Sequence, residues 1–290
     1  MKYKFALKAG CAALALAAAG ATYASPFYVD AHANYSNAGA EACVSGNCTG
    51  LKNQFTFAYD STTVVNDLDA NGIDAGDTIS TVAGMNVPGA LFSENKITGF
   101  LPTGSLASGD NGYGFGNWEI GMRASGLNGV ITGLGGPLLD VPQLAYFGGV
   151  VEFLMSTDGG ATVNNFMDII LTGGGSSGGG TVLFGAVDFT NTDVGFRDMF
   201  HSSTQNCFGD SSFFALATTC GPTLISFSSS QDTDVTLSSF SAGPGANQFT
   251  VTSNHDGSGK FEIPEPGSLA LLGLGLAGLS MVQRRRNAAK

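Results

Sequence analysis

Positive charge is scarce in most of this chain. Twelve Lys and Arg stand against 23 Asp and Glu in 290 residues. Lys2, Lys4 and Lys8 sit among the first residues, and Arg284, Arg285, Arg286 and Lys290 among the last. Only Lys52, Lys96, Arg123, Arg197 and Lys260 remain for everything between. A body this acidic has no basic face for phosphates, which excludes nucleic acid as a partner. It favours divalent cations, at sites or as a diffuse atmosphere, and its self-repulsion alone serves solubility. Histidine is as scarce: His32, His201 and His255 lie in no nucleophile or zinc motif, and G-x-S-x-G and H-E-x-x-H are absent. A Ser-His-Asp triad drawn from distant positions leaves no such trace, so these absences limit motifs and not chemistry. No tandem repeat is evident, which speaks against a propeller or solenoid.

The two ends differ from the body. Lys2, Lys4 and Lys8 precede an Ala/Leu-rich run that closes on small residues, the three-part layout of a secretory signal peptide. Thr22 and Ala24 fit the −3 and −1 positions of a signal-peptidase cut, so residues 1–24 are expected to leave and the mature chain to begin near Ser25. Cys11, at the start of the apolar run and not after it, is misplaced for lipidation and leaves with the peptide. At the other end, Pro264-Glu265-Pro266 leads into an apolar stretch from Gly267 to Val282 and then Arg284, Arg285 and Arg286. As a helix that stretch is about 24 Å long, short of a ~30 Å hydrocarbon core, so it spans only with help from snorkelling arginines. The positive-inside rule holds those arginines in the cytoplasm and the body outside.

This terminal arrangement resembles the PEP-CTERM sorting signal. The resemblance covers about the last tenth of the chain, residues 264–290, and implies sorting, not activity. It implies recognition by exosortase, a membrane cysteine transpeptidase, after a transient stay in the inner membrane of a Gram-negative-type bacterium. Cleavage near the tripeptide would then send the protein to the outer surface or extracellular matrix, often in an exopolysaccharide setting. A plain tail anchor is the competing reading, and it needs neither the tripeptide nor so short a helix.

Between the ends, residues 25–263 read as one all-β domain of sandwich or jelly-roll type. QFTFAYD places Phe55, Phe57 and Tyr59 on one face, and AYFGGVVEFLM, MDIILT, TVLFGAVDFT, LISFSS, DVTLSSF and QFTVTS continue the strand-like runs. The run from Gly173 to Gly180 is expected to be a flexible hairpin connection. A last strand is expected around Lys260 to Ile263, running straight into the prolines. Cys43, Cys48, Cys207 and Cys220 form an even set in an oxidising compartment. Three connectivities are open, and proximity favours Cys43–Cys48 with Cys207–Cys220.

Candidate chemistry is thin. In NDLDANGIDAGDT, Asp67, Asp69 and Asn71 occupy positions 1, 3 and 5 of a Ca²⁺ loop with Gly72 at 6, because alternate oxygens converge where glycine permits the turn. Asp77 falls one place before position 12, which Thr78 occupies, and an acidic Asn-Gly turn between strands is the competing reading. In NWEIGMR, Trp118 and Glu119 resemble the opening of a jelly-roll glucanase strand. Gly121 replaces the required Asp, and retaining hydrolysis needs two carboxylates. Trp118 is therefore expected in the core and Glu119 at a strand edge. His255, before Asp256-Gly257, is expected in a turn. Hydroxyl-rich stretches such as SSSQDTDVTLSSFS suit a solvated strand face or O-linked glycans. Two functions follow as expectations: a structural or adhesive component of a biofilm or floc exopolysaccharide matrix, and, from another class, a secreted carbohydrate-active enzyme.

Overall fold

The computed structural model of the chain describes residues 25–31, 48–102, 112–114, 118–135, 141–177, 180–205, 207–219, 225–232 and 235–263. Its strands are β1 (Phe27–Val29), β2 (Gln54–Asn66), β3 (Thr78–Gly84), β4 (Lys96–Leu101), β5 (Glu119–Gly135), β6 (Val141–Ser156), β7 (Asn164–Ser177), β8 (Gly180–Asp188), β9 (Phe200–Ser202), β10 (Ser226–Asp232), β11 (Ser241–Ala242) and β12 (Gln248–Glu262). Among the described residues one short α-helix, α1 (Phe213–Thr218), begins at Ser212, whose hydroxyl accepts the Ala215 N–H at 3.1 Å. The sequence drives extension by alternation: in β2, Phe55, Phe57, Tyr59, Ser61 and Val65 are buried while the residues between them are more exposed.

The all-β class read from the sequence is what forms, and its sheet closes on itself. Antiparallel pairing runs β2, β3, β5, β6, β7, β8, β10, β12 and back to β2. An eight-stranded ring has an interior that side chains can fill. Closure depends on β12, which pairs with β2 from Gln248↔Asn66 to Gly259↔Phe55 and with β10 from Gln231↔Gly257 to Ser226↔Glu262. Along one edge of β2, β3 and β4 follow one another, β3 opposite Ser61–Asn66 and β4 opposite Gln54–Ala58. Outside the ring, β1 and β9 form a two-stranded sheet.

Aromatic rings dominate the larger core. Phe261 on β12 lies within 5.2–5.8 Å, centroid to centroid, of Phe27, Phe55, Phe200, Phe213 and Phe227. Gly259 makes this packing possible: a Cβ there would lie 2.5 Å from the Phe55 ring. Trp118 is in this core as expected, 1% exposed and edge-on to Tyr113 at 4.7 Å. A smaller cluster, Val65, Ile79 and Ile131, occupies the opposite part of the interior.

Four local expectations need correction. Gly173, Gly174 and Gly175 lie inside β7, all three paired with β8 and the last two also with β6, and are not a loop. Glycine is required there by close backbone approach, since a Cβ on Gly175 would sit 2.7 Å from the Leu144 carbonyl oxygen. The hairpin itself stands, with Ser177 opposite Gly180. QFTVTS and the expected strand near Lys260 are one strand, β12, so His255-Asp256-Gly257 is strand and not turn. Gly257 faces Phe57 across the pairing, and a Cβ would meet that ring at 2.7 Å. DVTLSSF is not a strand: Leu237–Ser239 form a 3-10 turn in which Thr236 and Ser239 cap one another.

Candidate functional site

The turn joining β2 to β3 gathers three carboxylates. Asp67 folds its side chain back over the chain, with Oδ1 accepting the N–H groups of Ala70 (2.7 Å), Asp69 (3.3 Å) and Asn71 (3.3 Å), and Oδ2 accepting that of Gly72 (2.8 Å). Asp77 closes the turn from the other side, accepting from Leu68 and Asp74 at 3.0 Å each. Ala70 and Gly72 hold φ of 62° and 107°, which lets the chain curl so tightly. Asp67, Asp69 and Asp77 each bring an oxygen within 4.8 Å of the others. Asn71 points its Nδ2 at Asp69 (2.8 Å) and Asp74 (3.1 Å).

The electrostatics of this turn are uneven. Burial pushes the Asp67 carboxyl up, but the four backbone N–H groups together more than offset it and leave the pKa lowered. Asp69 is raised, by burial first and then by the neighbouring Asp67 and Asp74 charges, against the opposing Asn71 contact. Three converging carboxylates suit a hard divalent cation, which takes oxygen ligands and would relieve their mutual repulsion. The structure thus brings Asp77, not Thr78, to the others, while Thr78 starts β3 and accepts from Asn66 Nδ2 at 3.4 Å. The turn is anchored by Gly76 N–H to the Ile131 carbonyl (2.9 Å) and Ile131 N–H to the Asp77 carbonyl (2.8 Å).

A second cluster, missed from the sequence, lies inside the ring between the two apolar cores. A cavity of about 50 Å³ is lined by Ser61, Thr63, Thr81, Tyr146, Gln231 and His255 among others. His255 Nδ1 lies 3.1 Å from the Asp232 carbonyl, which assigns the ring proton to Nδ1, and Nε2 then accepts from Ser61 Oγ at 2.8 Å. Thr63 and Thr81 hydroxyls meet at 2.7 Å, and the Tyr59 hydroxyl donates to Gln231 Oε1. Burial pushes the Tyr146 phenol up to about 12, with a Thr81 contact opposing it. These pairs tie β2 to β3, β10 and β12 across the interior. The signal was present in β2, where Ser61 and Thr63 continue the inward series after Phe55, Phe57 and Tyr59.

The remaining candidates are dispersed. Glu119, at the start of β5, forms an ion pair with Lys96 on β4, as a strand-edge charge does. His201 on β9 is fully buried, stacked on Tyr28 at 4.8 Å, with Nδ1 3.3 Å from Ser211 Oγ and no protein partner at Nε2 among the described residues. Burial lowers its pKa, against smaller opposing effects of Asp30, Asp210 and the Asp198 backbone. Cys48 and Cys207 are buried. Residues 1–24, expected as a signal peptide, and His32, Cys43 and Cys220 lie outside the described residues, as do Pro264, Glu265, Pro266, Arg284, Arg285 and Arg286.

The described residues end where the Pro-Glu-Pro tripeptide begins. Glu262 is the last residue of β12, opposite Ser226, and Ile263 is 4% exposed with its N–H donated to Ser25 Oγ at 2.9 Å. Comparison with known proteins finds no match among curated proteins and none among solved structures. Residues 262–286 match the PEP-CTERM protein-sorting motif, so the chain carries a signal that implies exosortase-dependent export and a surface or extracellular destination.

Proposed function

We propose that the body is a structural or adhesive component of an extracellular exopolysaccharide matrix, delivered there by signal peptidase and exosortase with a transient inner-membrane stage. The observation that carries this reading is the sorting motif at residues 262–286, joined without a linker to a closed acidic β domain. Residues 25–263 are the delivered domain, 1–24 and 264–290 the removable ends. Cys48 and Cys207 are each disulfide-bonded, which supports two disulfides, and proximity in the sequence favours the pairings Cys43–Cys48 and Cys207–Cys220 as staples of its loops. Alkylation of the secreted protein should find no free thiol before reduction and four after it.

Calcium is part of the same reading. Asp67, Asp69 and Asp77, with the Asn71 side-chain oxygen after rotation of its amide, are the donors that would hold the ion, and an acidic body in a matrix would use it to stiffen the β2–β3 turn. Isothermal titration should show Ca²⁺ binding that Asp69→Ala abolishes, and the melting temperature should rise with Ca²⁺ only in the wild type. The matrix role is tested by incubating the secreted domain with the host's own exopolysaccharide. Retention without loss of polymer length supports it. Depolymerisation by the pure protein, lost in Glu119→Gln, would replace it with a carbohydrate-active enzyme.

A further inference from the structure

β12 has two edges, and near its end only one is covered by a long strand. On one side β10 stays paired as far as Ser226↔Glu262. On the other, β2 has its last pair at Gly259↔Phe55, so residues 260–263 run beyond its reach. Ser25 fills that gap. Its N–H donates to the Phe261 carbonyl at 3.0 Å, and its hydroxyl accepts the Ile263 N–H at 2.9 Å while lying 3.4 Å from the Ile263 carbonyl. Two residues later the Phe27 ring meets Phe261 edge-on at 5.5 Å. Phe27 also exchanges both backbone hydrogen bonds with Lys52, at 2.8 and 2.7 Å, which ties the segment to the chain entering β2.

The first residues expected in the mature protein therefore close the sheet at the point where the sorting motif starts. We propose that Ser25 and Phe27 are positioning residues for the sorting reaction: the N-terminus freed by signal peptidase docks on residues 261–263 and fixes the upstream boundary of the exosortase substrate at Ile263. This rests on the exosortase reading above. A free α-amino group at Ser25 keeps the contact, because an ammonium still donates to the Phe261 carbonyl and does so more strongly. Without the clasp, the Phe261 carbonyl and Ile263 N–H face an open sheet edge, and unpaired edge residues fray. The extended stretch ahead of Pro264 then lengthens upstream, and the enzyme meets no single boundary. The two ends expected to be removed, residues 1–24 and 264–290, are therefore joined to the body at this one place, where residues 25 and 263 touch.

The test compares wild type, Ser25→Ala, Ser25→Thr and Phe27→Ala as full chains in the native host. The readouts are the fraction processed and the C-terminal residue of the secreted product by intact mass, with N-terminal sequencing to confirm removal of the signal peptide. Wild type should yield one C-terminus. Ser25→Ala should lower the singly processed fraction at least twofold or spread its ends upstream, and Ser25→Thr should restore it. Ser25→Ala removes only a hydroxyl, so it decides the outcome even if Phe27→Ala fails to fold. The same processed fraction and the same single end in Ser25→Ala as in wild type would overturn the proposal. A wild type that keeps its tail overturns the exosortase reading itself, and this inference with it.

Discussion

Phe261 shows how one side chain can join fold and address. It stands three residues before Pro264, yet five other rings surround it at 5.2–5.8 Å. Truncating a fully buried phenylalanine costs about 3–5 kcal/mol, the lost transfer energy plus the cavity left behind. Phe261→Ala should therefore lower the stability of the secreted domain by that amount, measured by urea denaturation; a change within about 1 kcal/mol would mean that the ring is not part of the packed core. His201 makes a second residue-scale prediction. Its folded pKa is depressed below the unfolded 6.5, so the unfolded chain binds the extra proton first. Stability is complete above about pH 6.5 and falls as pH drops from there toward the folded pKa. Melting temperature should decline between about pH 7.5 and 5.5, and His201→Phe, which keeps a ring against Tyr28, should flatten that decline.

At the scale of elements, the β2–β3 turn is organised by carboxylates accepting backbone N–H groups. Asp67→Asn weakens those contacts without changing side-chain volume. It should lower the melting temperature in the absence of metal, and by more in the presence of Ca²⁺, where the proposed ion contact is lost as well. Because the Asp67 pKa is lowered in the fold, the stabilisation it gives is present above the ordinary carboxylate range and is lost as pH falls through the folded value. This turn was legible in the sequence because its donors lie within one short segment, Asp67 to Asp77, and local spacing encodes local geometry. Alternation likewise revealed most strands. The glycine run of β7 misled, because clustered glycines argue for loops, whereas Gly175 is set by a Leu144 carbonyl that only strand pairing brings near. The Ser61–His255 contact was hidden for a related reason. It joins residues 194 positions apart, and Asp256-Gly257 reads as a turn until Phe57 is placed against Gly257.

For the whole molecule, the two ends of the body meet at β12. The all-β class followed from composition and periodicity, but ring closure did not, since it depends on β2 and β12 finding each other across nearly the full domain. Such long-range pairing carries no signature in either strand alone. The same closure has a direct consequence for export: the last strand is locked into the ring up to Glu262, and the sorting motif begins at that residue. Removing everything after Ile263 should leave a domain with one cooperative melting transition, seen by calorimetry; loss of cooperativity would mean that the tail belongs to the fold.

The most direct test of the central claim is the intact mass of the protein recovered from the envelope and medium of its host. A product that begins near Ser25, ends between Pro264 and Pro266, and is found outside the inner membrane is what exosortase-dependent sorting predicts. A protein that still carries Arg284, Arg285 and Arg286 and stays in the inner membrane would contradict it.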